Sequence, residues 1–209
     1  MGDPFTQIHY NLDAVHSAID ACRVCAGEVT GFRKPPHLHR GDPGRVMVIG
    51  QGPGNAEMRG RVAFAGQSGR TLNSWLVEAG ASRDDPRAGI YFTSIIKCCG
   101  SGSRHFEVME RNCWPFLQQQ MIAIRPRLII TLGAEAYVSL RFTTVQYSEA
   151  LCNPVRSSDY LLLSAFSFDF WLLPWPHPSG LNRWHNVQKN RDRLRASFDF
   201  VQRALEGAL

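Results

Sequence analysis

The chain has 209 residues, a net charge of +5, 44% hydrophobic content and six cysteines. That length suits a single domain over 1–209 with a full core, and no apolar run reaches the roughly 20 residues that a membrane span needs. Met1-Gly2-Asp3-Pro4-Phe5 lacks a charged segment followed by an apolar one, so no secretion signal is read and a cytoplasmic monomer without membrane contact is expected.

Residues 1–10 read as frayed. Leu12, Val15 and Ile19 have helical spacing behind Asn11 as a cap, and that helix ends at Cys22-Arg23-Val24-Cys25. The proline- and glycine-bearing stretch 27–44 reads as a surface loop. Residues 45–49 form the first buried strand, running into Gly50-Gln51-Gly52-Pro53-Gly54-Asn55-Ala56-Glu57. After Gly66-Gln67-Ser68-Gly69 comes a helix through Leu72, Trp75, Leu76 and Ala79, closed by Gly80. Residues 90–96, apolar or β-branched throughout, suit a strand buried on both faces. The spacing predicts a helix over 105–124 with Phe116, Met121 and Ile122 inward, a third strand over 127–132, and a helix over 134–140. Residues 141–159 read as irregular. Strands are predicted at Tyr160 to Leu163 and Phe170 to Pro174, the second leading into Trp175-Pro176-His177-Pro178-Ser179-Gly180. A closing helix is predicted over 182–205.

Strands alternating with helices give an α/β fold with a central, mostly parallel sheet covered on both faces. The loops 50–57, 94–98 and 177–182 all follow strands, so their polar residues converge at the carboxyl edge of the sheet, where open α/β folds bind ligands.

In a cytosolic chain, paired cysteines point to metal or redox chemistry more than to disulfides. Cys22-x2-Cys25 alone is shared by zinc sites, redox pairs and clusters. With Cys98 and Cys113 added, four thiolates from two separated segments can enclose a tetrahedral zinc or a cubane cluster. Cys98 and Cys113 can also be read as small buried residues. Cys99 beside Cys98 leaves the third ligand open, and Cys152 is left over. The basic residues Arg183, Lys189, Arg191, Arg193 and Arg195 form either a solvated helix face or a nucleic-acid contact.

The run GQGPGNAEMRGRVAFAGQSG, from Gly50 to Gly69, resembles the first motif of the iron–sulfur uracil-DNA glycosylases, families 4 and 5 of that superfamily. Gly50, Pro53, Gly54, Glu57, Phe64, Gly66 and Gly69 match without a gap. Ile96-Lys97-Cys98, Cys113-Trp114-Pro115-Phe116-Leu117, the run 127–136 and His177-Pro178-Ser179 with Asn182 resemble further family segments in the same order. The resemblance implies a three-layer α/β/α sandwich around a mostly parallel four-stranded sheet, and a structural 4Fe–4S cluster on Cys22, Cys25, Cys98 and Cys113. It also implies a DNA-repair hydrolase that removes uracil from DNA. The sequence departs where the family 4 acid is Gln51 and where the family asparagine that reads uracil is Ser94.

Such an enzyme flips the base out of the stack and holds its edge and face. The expected uracil contacts are Gln51, Gly52, Glu57, Phe64, Ser94 and His177, with Phe64 as the stacking platform. His177 is expected to donate as a neutral imidazole to the departing base, and Gln51 to orient the attacking water without accepting its proton. Ser179, Leu181, Asn182 and Arg183 are the expected DNA contacts, Leu181 as a wedge. The loss of the family acid keeps open a relative that binds uracil-containing or abasic DNA without turnover. The serine keeps open a broader range of deaminated bases. A third reading is a zinc-stabilised nucleotide-binding domain.

Overall fold

The first helix, α1 (Leu12–Ala21), opens where the Asn11 side chain accepts the N–H groups of Asp13 and Ala14, and it turns Val15 and Ile19 inward. The computed structural model describes residues 10–34, 38, 40–99, 105–140, 145–157, 166 and 168–209. The chain continues through β1 (Val46–Gly50), α2 (Asn55–Gly60), α3 (Gln67–Glu78), β2 (Ile90–Ser94), α4 (Phe106–Ile124), β3 (Leu128–Leu132) and α5 (Ala134–Ser139). Then come α6 (Tyr147–Ala150), β4 (Val155–Arg156), β5 (Trp171–Trp175), α7 (Gln188–Ala196) and α8 (Phe198–Glu206).

Among the described residues the sheet has five strands in the order β2-β1-β3-β5-β4, one more than the expected four. Four pair in parallel, and β4 joins β5 antiparallel through only two residues. So short a strand carries no readable alternation, which is why it falls inside a stretch read as irregular. The strand expected at Tyr160 to Leu163 lies outside the described residues.

Alternate strand residues feed two cores. Val46, Val48, Phe92 and Ile130 pack with Leu72 and Leu76 of α3 and with Leu194 and Val201 of the two last helices. Met47, Ile49, Tyr91 and Ile129 pack on the opposite face with Leu117 and Met121 of α4 and Ala136 of α5. Helices on both faces make the three-layer sandwich.

Boundaries differ where side chains intervene. β2 ends at Ser94, and Ile95 N–H and Ile96 N–H still bond the carbonyls of Gly50 and Gln51, at 2.8 and 3.0 Å, which ties the following loop to the one after β1. α4 turns Met109, Cys113, Leu117, Gln120 and Met121 inward, while Phe116 and Ile122 are only half-buried. α3 ends at Glu78 with Ala79 as its cap, followed by Gly80 at φ +94°, with Gly80 N–H bonded to the Val77 carbonyl and Ala81 N–H to that of Leu76. The closing helix is two helices behind a 3-10 turn at Trp184–Asn186. The break is at Ser197, whose hydroxyl donates to the Leu194 carbonyl at 2.6 Å and accepts Trp175 Nε1–H at 2.9 Å.

Candidate active site

The carboxyl ends of β1, β2 and β5 meet at a cavity of about 240 Å³. Its walls include Gln51, Gly52, Glu57, Phe64, Ser94 and His177, so all six expected base contacts come together. This is smaller than the roughly 300–1,000 Å³ of drug-sized sites.

Glycine sets how closely the walls approach. A Cβ on Gly50 would stand 2.7 Å from Phe64 Cζ and 3.0 Å from Cε1, so the aromatic ring points its edge at the bare backbone where β1 ends. Phe64 itself has φ +54°, unusual for a bulky residue. Its carbonyl accepts Arg87 Nη2–H at 3.1 Å, and its ring meets the Phe92 ring edge-on at 5.9 Å.

Glu57 lines this cavity, yet its carboxylate is committed. One oxygen accepts Gly54 N–H at 2.9 Å as the capping box of α2, and the other accepts Ala65 N–H at 2.9 Å. Glu57 therefore ties the two halves of the loop together. Gln51 is exposed at the mouth.

His177 follows β5 and is half-buried. Its Nδ1 accepts the Ser179 backbone N–H at 3.2 Å. A backbone N–H can only donate, so in the neutral ring the proton is on Nε2. Burial lowers the His177 pKa below the usual histidine value, against an upward pull from the Glu135 carboxylate. Asn182 Nδ2–H donates to the His177 carbonyl at 2.9 Å, and Asn182 Oδ1 accepts Trp184 N–H at 3.1 Å. The Asn182 amide thus holds the histidine loop. Leu181 beside it is 94% exposed.

Ser94 faces Gly50 in register. Its hydroxyl donates to the Ile96 carbonyl at 2.7 Å. Behind it, buried Lys97 directs its ammonium at Thr93 Oγ1 (2.9 Å), Gln120 Oε1 (2.8 Å) and the Ser94 carbonyl. Three acceptors match its three protons, while burial pushes its pKa down to about 7.

The four cysteines of the expected set stand close enough to act on one another's charge, Cys98 with Cys113 and Cys22, and Cys113 with Cys25 and Cys22. Cys22 caps α1, Cys25 follows in the next turn, Cys98 follows β2 and Cys113 lies in α4. Cys25 and Cys98 pack with Val29 and Met109. Burial pushes Cys98 up to about 11, with Lys34 opposing and Cys113 and Cys22 adding to the rise. Lys97 N–H donates to Cys113 Sγ at 3.3 Å, Asn112 Nδ2–H to Cys25 Sγ at 3.4 Å and Lys34 Nζ to Cys98 Sγ at 3.6 Å. Cys99 turns elsewhere: its backbone pairs with Arg33, and its sulfur accepts Arg33 Nη2–H at 3.3 Å. Cys152 is buried in the other core, beside α7 and α8. Among the described residues, no three His, Cys, Asp or Glu side chains stand together as a site for a single metal ion.

Two buried cations of the cavity wall, Arg40 and Lys97, were not expected there. Arg40 lies in the proline- and glycine-bearing loop, where no periodicity marks an inward residue, and it pairs with Asp20 of α1 at 3.5 Å. Lys97 did carry a signal, its place beside Cys98 in a matched segment. Ser179, Leu181, Asn182 and Arg183 lie on the loop after His177 and do not line the cavity.

The family model described as the Uracil DNA glycosylase superfamily matches residues 39–202. The chain is 30% identical over 173 residues to the Type-4 uracil-DNA glycosylase of Saccharolobus solfataricus, which covers 81% of this chain and 76% of that protein. It is 29% identical over 142 residues to the Type-4 enzyme of Archaeoglobus fulgidus, covering 65% and 69%. Similarity to the Type-5 uracil-DNA glycosylase of Pyrobaculum aerophilum is 31% over 104 residues, covering 44% and 46%.

Proposed function

The chain belongs to the uracil DNA glycosylase superfamily, and from that premise we infer that its cavity receives a uracil flipped out of DNA and releases it by hydrolysis. It is a DNA-repair glycosylase: the N-glycosidic bond breaks, the base departs and water completes the sugar, leaving an abasic site. The observation that carries the assignment of roles is the bond from Ser179 N–H to His177 Nδ1, which leaves a proton on Nε2 beside the cavity. Cleavage puts negative charge on the departing base, and a fixed donor aimed at it stabilises the transition state more than the ground state. Phe64, its edge set against Gly50, offers an aromatic face for the base.

Water attack has little carboxylate help here. Each Glu57 oxygen already accepts a backbone N–H group, which holds the carboxylate as a tie within the loop, so we assign the orienting of the water to Gln51 and most of the rate to leaving-group stabilisation. Gln51→Ala is expected to slow uracil release about tenfold. Gln51→Glu, which can accept the proton, should exceed the wild-type rate by about a hundredfold, the lower end of what a general base contributes. Single-turnover rates decide this, and a glutamate variant no faster than wild type would show that Gln51 acts by orientation alone.

Outside the cavity, exposed Leu181 suits a wedge into the gap left by the flipped base, with Ser179, Asn182 and Arg183 beside it for the backbone. In this reading the protein acts on DNA as a cytoplasmic monomer. No helix among the described residues is long and apolar enough to cross a membrane.

The donor set around the cysteines fits an anionic 4Fe–4S cluster held by Cys22, Cys25, Cys98 and Cys113. N–H groups and the Lys34 ammonium point at sulfurs, as thiolates require. When bound, the cluster supplies a structural brace between α1 and α4 and no step of the hydrolysis. Wild-type protein purified without oxygen is expected to be coloured and to hold about four irons per chain. Cys113→Ser should lose them, whereas Cys99→Ser should keep them. Stoichiometric zinc in place of iron would overturn the cluster.

The commitment of Glu57 favours one second reading, a relative that binds uracil-containing or abasic DNA without turnover. Incubation with uracil-containing single- and double-stranded oligonucleotides, followed by alkali, separates the two. Broken strands support the glycosylase and intact strands support the binder.

A further inference from the structure

We propose that Arg87, which stands outside the cavity, is a positioning residue for the base platform: with Glu57 it grips the Phe64–Ala65 peptide from both ends and so fixes the Phe64 ring. This rests on the reading of the cavity as a base pocket and names a residue on which that pocket depends.

The Phe64 carbonyl and the Ala65 N–H belong to one peptide unit. The carbonyl accepts Arg87 Nη2–H at 3.1 Å, and the N–H donates to Glu57 Oε1 at 2.9 Å. A cation therefore meets the negative end of the peptide dipole and a carboxylate meets the positive end. Turning this plane over would set the carbonyl against the carboxylate and the N–H against the guanidinium. That restraint matters here because Phe64 has φ +54°, a conformation that a bulky residue keeps only where its surroundings impose it. The orientation of the ring follows from the orientation of the peptide.

Arg87 is itself held at both ends. Its N–H donates to Asp85 Oδ1 at 3.1 Å and its carbonyl accepts Ile90 N–H at 3.0 Å, which fixes the backbone just ahead of β2. Farther out, Nε–H donates to Asn73 Oδ1 of α3 at 3.2 Å. The guanidinium lies over the Phe92 ring, 4.6 Å from its centroid. Phe92 in turn meets Phe64 edge-on, and both rings line the cavity. One planar group thus bonds α3, bonds the Phe64 peptide and covers the aromatic ring behind Phe64. A lysine ammonium has neither the fork nor the flat face for this combination. Arg87 is absent from the cavity lining, so it acts on a base only through the two aromatic residues.

The test compares affinities for two oligonucleotides. One carries a 2′-fluorinated uracil nucleotide that resists cleavage, and the other carries a tetrahydrofuran abasic analogue at the same position, with no base to rest on Phe64. Arg87→Met should weaken the uracil oligonucleotide about tenfold and leave the abasic one within about twofold, and Arg87→Lys should recover only part of the loss. In a Phe64→Ala background, Arg87→Met should change the ratio of the two affinities by less than about twofold, because the two residues act as one unit. Equal weakening of both oligonucleotides, or an Arg87 effect that persists in full without Phe64, overturns the proposal and leaves Arg87 as a residue of general stability. Should Arg87→Met not fold, Asn73→Ala decides. It removes the partner of Nε at a helical position where alanine is favourable, and it should shift the ratio about threefold in the same direction. An unchanged ratio in Asn73→Ala then sinks the idea. Release of uracil from unmodified substrate by the wild type reports the glycosylase reading separately, so absence of turnover leaves the affinity ratios readable.

Discussion

Replacing His177 with alanine is expected to lower the rate of uracil release by about two to three orders of magnitude, with far less change in affinity for the DNA. Removing one donor aimed at developing negative charge costs that much where it is studied in oxyanion holes. The donor here is preorganised, since Ser179 N–H fixes the tautomer and Asn182 holds the His177 carbonyl. Single-turnover rates on a uracil oligonucleotide check it, and a His177→Ala enzyme within tenfold of wild type would remove the histidine from the mechanism. The pH profile gives a second check. Burial lowers the folded-state pKa, so the neutral ring persists below about 6.5, the usual histidine value. The sign for stability follows the same direction. The contribution of the neutral ring is fully present above the unfolded value and is lost as pH falls through the lowered folded one. Protonation would set an N–H on Nδ1 against the Ser179 N–H and release the loop. The His177 limb of the activity profile should therefore lie on the acid side of about 6.5, and the variant should lack that acid limb.

The parts of this site that were legible in the sequence are those where backbone does the work. A buried strand followed by Gly50-Gln51-Gly52-Pro53-Gly54 announces a loop that approaches a ligand closely, and strand alternation places three such loops on one edge. The cap at Asn11 and the stop at Gly80 are local chemistry, and both stand as read. Long-range partnerships were not legible. Glu57 and Gln51 are both polar residues of one glycine-rich loop, yet one carboxylate is consumed by Gly54 and Ala65 while the Gln51 side chain remains at the mouth. Arg40 had no signal at all, because its inward position depends on a covering loop with no period. The helical pattern of 182–205 predicts one continuous helix because it hides Ser197, whose hydroxyl partner Trp175 is 22 residues away.

Gly69→Ala is expected to disable the site from outside the cavity. In the interior of a helix this exchange ordinarily stabilises by up to about 1 kcal/mol, and Gly69 lies in the first turn of α3. Here, however, the added Cβ would fall 1.8 Å from Phe64 O and 2.7 Å from Phe64 C. Those are backbone atoms, already held at φ +54° with the carbonyl bonded to Arg87, so no side-chain rotation relieves the overlap. Overpacking of this kind costs about 1–3 kcal/mol or more, which outweighs the helix-propensity gain. The functional loss should be larger than the thermal one. The Phe64 peptide must move, and its ring then leaves the bare backbone of Gly50 that its edge abuts. Uracil release should fall about a hundredfold or more, with the melting temperature lowered by several degrees. Gly27→Ala is the matched control, because its Cβ would meet nothing within 4 Å, and its stability should stay within about 0.5 kcal/mol of wild type. A fully active Gly69→Ala enzyme would mean that Phe64 is not the platform for the base. The contact between Gly50 and its ring would then be ordinary packing at the end of β1.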